Sequence, residues 1–320
     1  MYCYFAFGMR IDSSGEIPGL HCIEDCDLRE ERPVDLTIWI DQTPELTEPA
    51  HPVHGDATAP GAYYENRSLF RFEKSGILLI RFHDGTDFYV DRLGTQIWTT
   101  WKPPFTSEDM STYLLGPILG YVLRIRGSVA LHASSFVVGD RAIALTGSAG
   151  AGKSTTVAAL AMRGNPVLAD DVTVLEEEGT GFRVLPSYPH LRLWPESAEL
   201  LLGSVDSLEP ITPNWHKLDF NLLDGYQFAT SAAHLSTIYF IADRSPEDRA
   251  PWVEQVDGQE QLIGLIGNTY GNGLLDESMR LHEFNVLGRL IQSVKVKRVV
   301  PHISPDRLGR LCDVILEDCQ

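Results

Sequence analysis

The residues with the most evident chemical purpose are Gly147-Ser148-Ala149-Gly150-Ala151-Gly152-Lys153-Ser154, a full match to G-x-x-x-x-G-K-[ST]. In this pattern the glycines let backbone N–H groups point at a β-phosphate, and a helix start adds its positive dipole end. Lys153 neutralises β/γ-oxygens and the Ser154 hydroxyl coordinates Mg²⁺. ATP and Mg²⁺ are therefore the expected ligands, with Gly147 to Thr155 as the cradle. Asp170 and Asp171 form a second group. Adjacent carboxylates repel each other unless a cation or proton separates them. A metal beside Asp170 and a substrate hydroxyl beside Asp171 would do that, and a solvated acidic turn is the alternative. His132 is the third candidate; taken alone, a His in an apolar run is more often a satisfied core residue.

The elements around these residues suit the chemistry. Residues 129–138 and 141–146 are apolar runs separated by Gly139-Asp140 and predict adjacent strands. A helix follows from Lys153 to about Arg163, which Gly164 ends, and Pro166 to Ala169 is a short buried strand that delivers the Asp pair. Residues 172–185 predict a hairpin, 186–234 loops and short helices, and 238–242 a strand. The C-terminal third has helical periodicity over 261–265, 279–294 and 306–316. Upstream, 1–105 reads as a β-rich module, with a hairpin of 77–83 and 87–90 turning at Asp84-Gly85. Pro103-Pro104 breaks the chain, and Thr106 or Ser107 can cap a helix running to about Arg124. This gives a module over 1–105 and a catalytic domain with a helical C-terminal region over 106–320.

Composition narrows the partners. The 320 residues carry 26 basic and 44 acidic side chains, a net charge of −18, which disfavours nucleic acid and anionic membranes. The same excess surrounds one cationic cradle and favours a basic peptide. No apolar stretch approaches the roughly 20 residues of a membrane span, and MYCYFAFGMR lacks the basic start and apolar length of a signal peptide. Five Cys without a C-x-x-C point to reduced thiols in a cytoplasm. His21, Cys22 and Cys26 lack the paired spacing of a zinc site, and His51 and His54 fall in a Pro-rich loop.

His132, the Gly147–Ser154 loop and Arg163-Gly164-Asn165-Pro166-Val167-Leu168-Ala169-Asp170-Asp171 together resemble the bacterial HPr kinase/phosphorylase catalytic domain. Its pattern is H, G-x-S-G-x-G-K-S, then R-G-x-x-x-x-A-D-D. The spacings match as well, 22 residues from His132 to Ser154 and 17 from Ser154 to Asp171. The resemblance implies an α/β, phosphoenolpyruvate-carboxykinase-like P-loop kinase core with a mixed sheet and flanking helices. It further implies Asp171 as the base for a serine hydroxyl, His132 as its assistant near the transferred phosphoryl group, Asp170 beside the metal, and assembly into a homo-oligomer. In place of the family's L-E-I-R-G-L-G segment this chain has Pro189 to Glu196, with Glu196 near the missing metal-binding Glu, and the basic Gly-rich loop associated with phosphorolysis is missing.

Leu191-Arg192-Leu193-Trp194-Pro195, Trp215-His216-Lys217 and Asn268-Thr269-Tyr270 are similar instead to the HPr-kinase-like proteins of lasso-peptide biosynthesis. Those kinases phosphorylate the C-terminal residue, often a Ser, of a ribosomal precursor peptide. Lys217 is the candidate for a second cation on the transferred group, because charge on its equatorial oxygens needs more than Lys153 and Mg²⁺. An exposed loop lysine is the alternative, and Arg192 is a comparable candidate. A metabolite kinase and a nucleotide-binding regulator without transfer activity are the rival functions. The regulator would need neither His132 nor Asp171.

Overall fold

In the computed structural model, which describes residues 1–23, 32–53, 67–271 and 274–319, the chain divides into two units. The first holds Met1–Ser128, Ile211–Trp215 and Gly271–Met279, and the second Val129–Pro210, His216–Tyr270 and Arg280–Gln320. Cys26 and His54, considered above as ligands, fall outside the described residues.

The first unit is built on eight strands: β1 (Tyr2–Ala6), β2 (Met9–Ser13), β3 (Leu36–Ile40), β4 (His51–Pro52), β5 (Arg67–Arg71), β6 (Leu78–Phe82), β7 (Asp87–Val90) and β8 (Gln96–Thr100). Their order is β1-β2-β3-β8-β7-β6-β5-β4. Alternate residues of β2 (Met9, Ile11, Ser13) are buried, the period of a sheet with one covered face. The β6–β7 hairpin turns where Asp84-Gly85 predicts, with Gly85 at φ +86°. The helix expected to run to about Arg124 is interrupted. Helix α1 (Ser107–Tyr113) passes through a π-helical turn at Leu114–Ile118 into α2 (Leu119–Ile125). Pro117 lies in that turn and has no N–H for the regular i→i−4 bond, so the ladder opens around it. Thr106 takes the capping position, its backbone N–H donating to Asp109 Oδ2 at 2.9 Å.

The second unit has strands β9 (Val129–Val138), β10 (Arg141–Thr146), β11 (Val167–Ala169), β12 (Val172–Glu178), β13 (Gly181–Leu185), β14 (His190–Leu193), β15 (Leu218–Asn221), β16 (Ala233–Ile241), β17 (Trp252–Gln255) and β18 (Lys295–Val300). Its helices are α3 (Lys153–Ala161), α4 (Pro195–Leu202), α5 (Gly258–Gly267), α6 (Glu277–Ser293, whose first residues group with the first unit) and α7 (Leu308–Asp318). The main sheet is mixed. Strands β10, β16 and β18 run parallel, β9, β12 and β13 add antiparallel neighbours, and β13 returns to pair with the start of β16. Strands β14 and β15 pair separately. The unbroken apolar run of β10 reflects cover on both faces. Ile143 and Leu145 join a core with Val157 and Leu160 of α3 and Leu311 and Ile315 of α7, whereas Ala142 and Ala144 join another with Leu265 of α5 and Leu287 and Leu290 of α6. Among the described residues no helix is long and apolar enough to cross a membrane.

Candidate active site

The Gly-rich loop sits where its chemistry requires, between the C-terminal end of β10 and the first turn of α3. Gly147 has φ +151°, and a Cβ there would lie 2.8 Å from the Ile241 carbonyl oxygen, so a side chain would push β10 and β16 apart. Gly152, at φ +105°, is the residue from which α3 starts, and its left-handed backbone suits glycine. Lys153 is buried, and its ammonium donates to the carbonyls of Gly147 at 2.9 Å and Ser148 at 3.2 Å. Burial pushes its pKa down, and the nearby charges of Asp171 and Asp170 oppose that shift. Among the described residues this buried cation is held by two carbonyls and no carboxylate.

The two aspartates have separate partners on one strand. His132 and Ser134 are two apart on β9 and so share a face. His132 Nε2 lies 3.2 Å from Asp171 Oδ1, while Ser134 Oγ donates to Asp170 Oδ1 at 2.5 Å. In a continuous strand neighbouring residues would point to opposite faces, yet both carboxylates reach this one. The chain manages this by breaking between β11 and β12, with Asp171 at φ +66°. Such a conformation costs a non-glycine residue about 1–3 kcal/mol and is commonest where function fixes the geometry.

Asp170 is almost completely buried and accepts two further hydrogen bonds, from Ser154 Oγ at 2.8 Å on Oδ1 and from the Arg192 backbone N–H at 3.2 Å on Oδ2. A loop hydroxyl touching a strand-end carboxylate is an all-oxygen donor pair suited to Mg²⁺, which takes one or two protein ligands and completes its shell with phosphate and water. Among the described residues no group of three or more His, Cys, Asp or Glu could hold a metal by itself. Asp171 keeps about a third of its side chain accessible. Burial alone would push its carboxyl up, but the hydrogen bond and charge of His132, with Arg192 and Lys217 behind it, hold it well below the usual carboxylate range. The Tyr270 hydroxyl donates to its other oxygen, Oδ2, at 2.9 Å.

Lys217 precedes β15, with its ammonium 5.4 Å from the centre of the exposed Trp194 ring. Its charge is felt weakly at both Asp171 and Lys153. Arg192 lies on β14, and its charge is also felt at Asp171. Glu196 borders the Gly-rich loop without reaching the Asp pair. It opens α4 and lines a cavity whose walls include neither Asp170 nor Asp171.

Sequence reasoning missed two contributors. Ser134 is one polar residue in an apolar strand, and only its two-residue spacing from His132 could have marked it. Tyr270 is far along the chain and arrives by pairing: its N–H donates to the Ala130 carbonyl and His132 N–H donates to the Asn268 carbonyl, which lays residues 268–270 along β9.

No family model matches this chain, and no curated protein sequence does. Among solved structures, the Hpr(Ser) kinase/phosphatase from Coxiella burnetii is similar over 59% of this chain and 90% of that one, with a TM-score of 0.32 and 14% identity. A likeness this loose assigns no role to any residue. The chain itself supplies the class, a mixed α/β fold with a Gly-rich loop of the pattern G-x-x-x-x-G-K-[ST] at the end of a parallel strand and Asp170 in contact with its Ser154.

Proposed function

We propose that this protein is an ATP- and Mg²⁺-dependent serine kinase that transfers the γ-phosphoryl group to a Ser hydroxyl of a peptide or small protein, the peptide being a lasso-peptide precursor. One observation carries the reading: a carboxylate, Asp171, held between His132 and Tyr270 next to a cradle whose Ser154 already meets Asp170. Nucleotide binding alone would not call for the first of these features.

In the reaction Lys153 leaves the Gly147 and Ser148 carbonyls for the β/γ-oxygens of ATP, and the loop's N–H groups receive the β-phosphate. Ser154 and Asp170 would hold Mg²⁺, which supplies charge neutralisation across the β- and γ-phosphates. Asp171 accepts a hydrogen bond from the acceptor hydroxyl and aims its lone pair at phosphorus. With its pKa held so low, Asp171 is a weak base in the ground state. It takes the proton only as the new O–P bond forms and makes the hydroxyl acidic, while the old γ-phosphorus to bridging oxygen bond breaks and ADP leaves. His132 fixes the Asp171 carboxylate and keeps it charged. Lys217 supplies positive charge to the equatorial oxygens.

The test is incubation with ATP, Mg²⁺ and the short peptide encoded beside the gene, read as a phosphate mass shift on a Ser. If no peptide is modified but a metabolite hydroxyl is, the peptide-kinase reading fails.

A further inference from the structure

Strands β14 and β15 form a ribbon of their own, in which Arg192 stands directly opposite Asp219. Side chains alternate along a strand, so His190, Arg192 and Asp219 share one face of the ribbon. Leu191, Leu193 and Phe220 share the other, which is buried in the core with Val157 and Leu160 of α3. At the Arg192–Asp219 position neither N–H crosses the ribbon: Arg192 N–H donates to Asp170 Oδ2 at 3.2 Å, and Asp219 N–H to the Glu209 carbonyl at 2.8 Å. This is the non-hydrogen-bonded kind of antiparallel pair, in which facing side chains come closest. An arginine and an aspartate placed there are expected to join as a two-pronged ion pair.

The structure shows a different pairing. Among the described residues the Asp219 carboxylate is engaged by His190 and not by Arg192: His190 Nδ1 lies 2.8 Å from Oδ1 and 2.9 Å from Oδ2. His190 reaches it along the diagonal of the ladder, and because a carboxylate only accepts, Nδ1 carries the proton. The imidazole is 10% exposed, so the pair is largely shielded from water. The charge of Arg192 is directed elsewhere. Burial opposes that charge, and Tyr188, Asp171, Tyr270 and Asp170 offset burial and leave the pKa above its usual value. The carboxylates that support the guanidinium most are thus those of the site, although Asp219 is the one facing it across the ribbon.

We propose that His190 is a positioning residue: it occupies the Asp219 carboxylate, so that the Arg192 guanidinium turns from its cross-strand neighbour toward Asp170 and Asp171 and brings positive charge to the transferred phosphoryl group. The use of Arg192 in transfer rests on the kinase reading given above, whereas the occupation of Asp219 by His190 does not. His190 itself touches no reacting group. Without its N–H donor, Asp219 would face Arg192 unoccupied, and a two-pronged pair across the ribbon would draw that cation out of the site.

His190→Phe in the full chain tests it, because it keeps a ring and removes the Nδ1 donor. A crystal structure of this variant should place the Arg192 guanidinium within about 4 Å of the Asp219 carboxylate. Single-turnover transfer from ATP should fall about tenfold or more. Adding Asp219→Asn removes the competing charge and should restore transfer to within about threefold of wild type, and His190→Asn, whose amide keeps a donor near the place of Nδ1, should stay within about threefold as well. A guanidinium that does not move in His190→Phe overturns the proposal whatever the activity. A double variant as slow as His190→Phe alone overturns it too, as does failure of both to fold, since the ring would then serve packing only. So does a captured Arg192 with undiminished transfer, because the guanidinium would have no task at the site. If wild type transfers to no acceptor, the kinase reading fails, and the crystal structure still decides whether His190 keeps Asp219 from Arg192.

Discussion

The two flanks of α3 are built on opposite plans. On one, His132, Ser134, Tyr270 and the Asp pair are joined by hydrogen bonds and ion pairs, with Asp170 nearly inaccessible and Asp171 in a costly backbone conformation. On the other, Glu196, Glu199, Arg244 and Leu200 stand exposed around an open cavity. The first flank has fixed its geometry before any ligand arrives, as a site must when it stabilises charge that develops only in a transition state. The second has left its polar groups in water, as suits a ligand that enters and leaves every cycle. Lys153 opens the helix, and under the proposed function it serves both.

Substitutions can break this contrast, and the largest effect belongs to the shared residue. Lys153→Ala should lower transfer by about 10³-fold or more and weaken both ATP and inorganic triphosphate, measurable by single-turnover kinetics and binding. His132→Gln should act on the ordered flank alone. It removes the interaction that offsets burial at Asp171, so the Asp171 pKa must rise. The sign follows: the wild-type carboxylate stays charged at all but very acid pH, whereas in the variant the acid limb of the rate profile moves to higher pH, with ATP binding unchanged. Tyr270→Phe removes one hydrogen bond to a charged oxygen, worth about 1.5–3 kcal/mol at most. It should lower the transfer rate about tenfold and shift the acid limb in the same direction by less than His132→Gln does. The smallest effect concerns the surface. If the net charge of −18 steers a basic peptide, raising salt from about 0.05 to 0.5 M should weaken peptide binding several-fold, and no change would exclude steering.

Much of this was legible in the sequence because it is local. The cradle needs eight consecutive residues, and the strand, loop and helix that carry it are neighbours in the chain. Strands β9 and β10 were visible as apolar runs, and the Asp pair as acidic residues closing a third. What escaped depends on distant pairing. Tyr270 reaches Asp171 only because residues 268–270 align with β9. Strand β18, Lys-Val-Lys-Arg-Val-Val, follows a long helical pattern closely and was hidden by it, and β17 takes its place in the sheet by pairing with β18. The cavity wall unites α4 with the segments after β16 and β18, which no local pattern brings together. The π-helical turn was readable in principle, since Pro117 alone forbids a regular helix there.

The most direct measurement is the split between binding and transfer in Asp171→Asn. The side chain keeps its size and loses its charge, so the ordered flank fails while the open one is untouched. Single-turnover transfer to a Ser peptide should fall by about 10²–10⁴-fold, with ATP affinity within a few-fold of wild type. Transfer at the wild-type rate would show that Asp171 is not the acceptor-side carboxylate, and with it the proposed division of labour across α3 would be wrong.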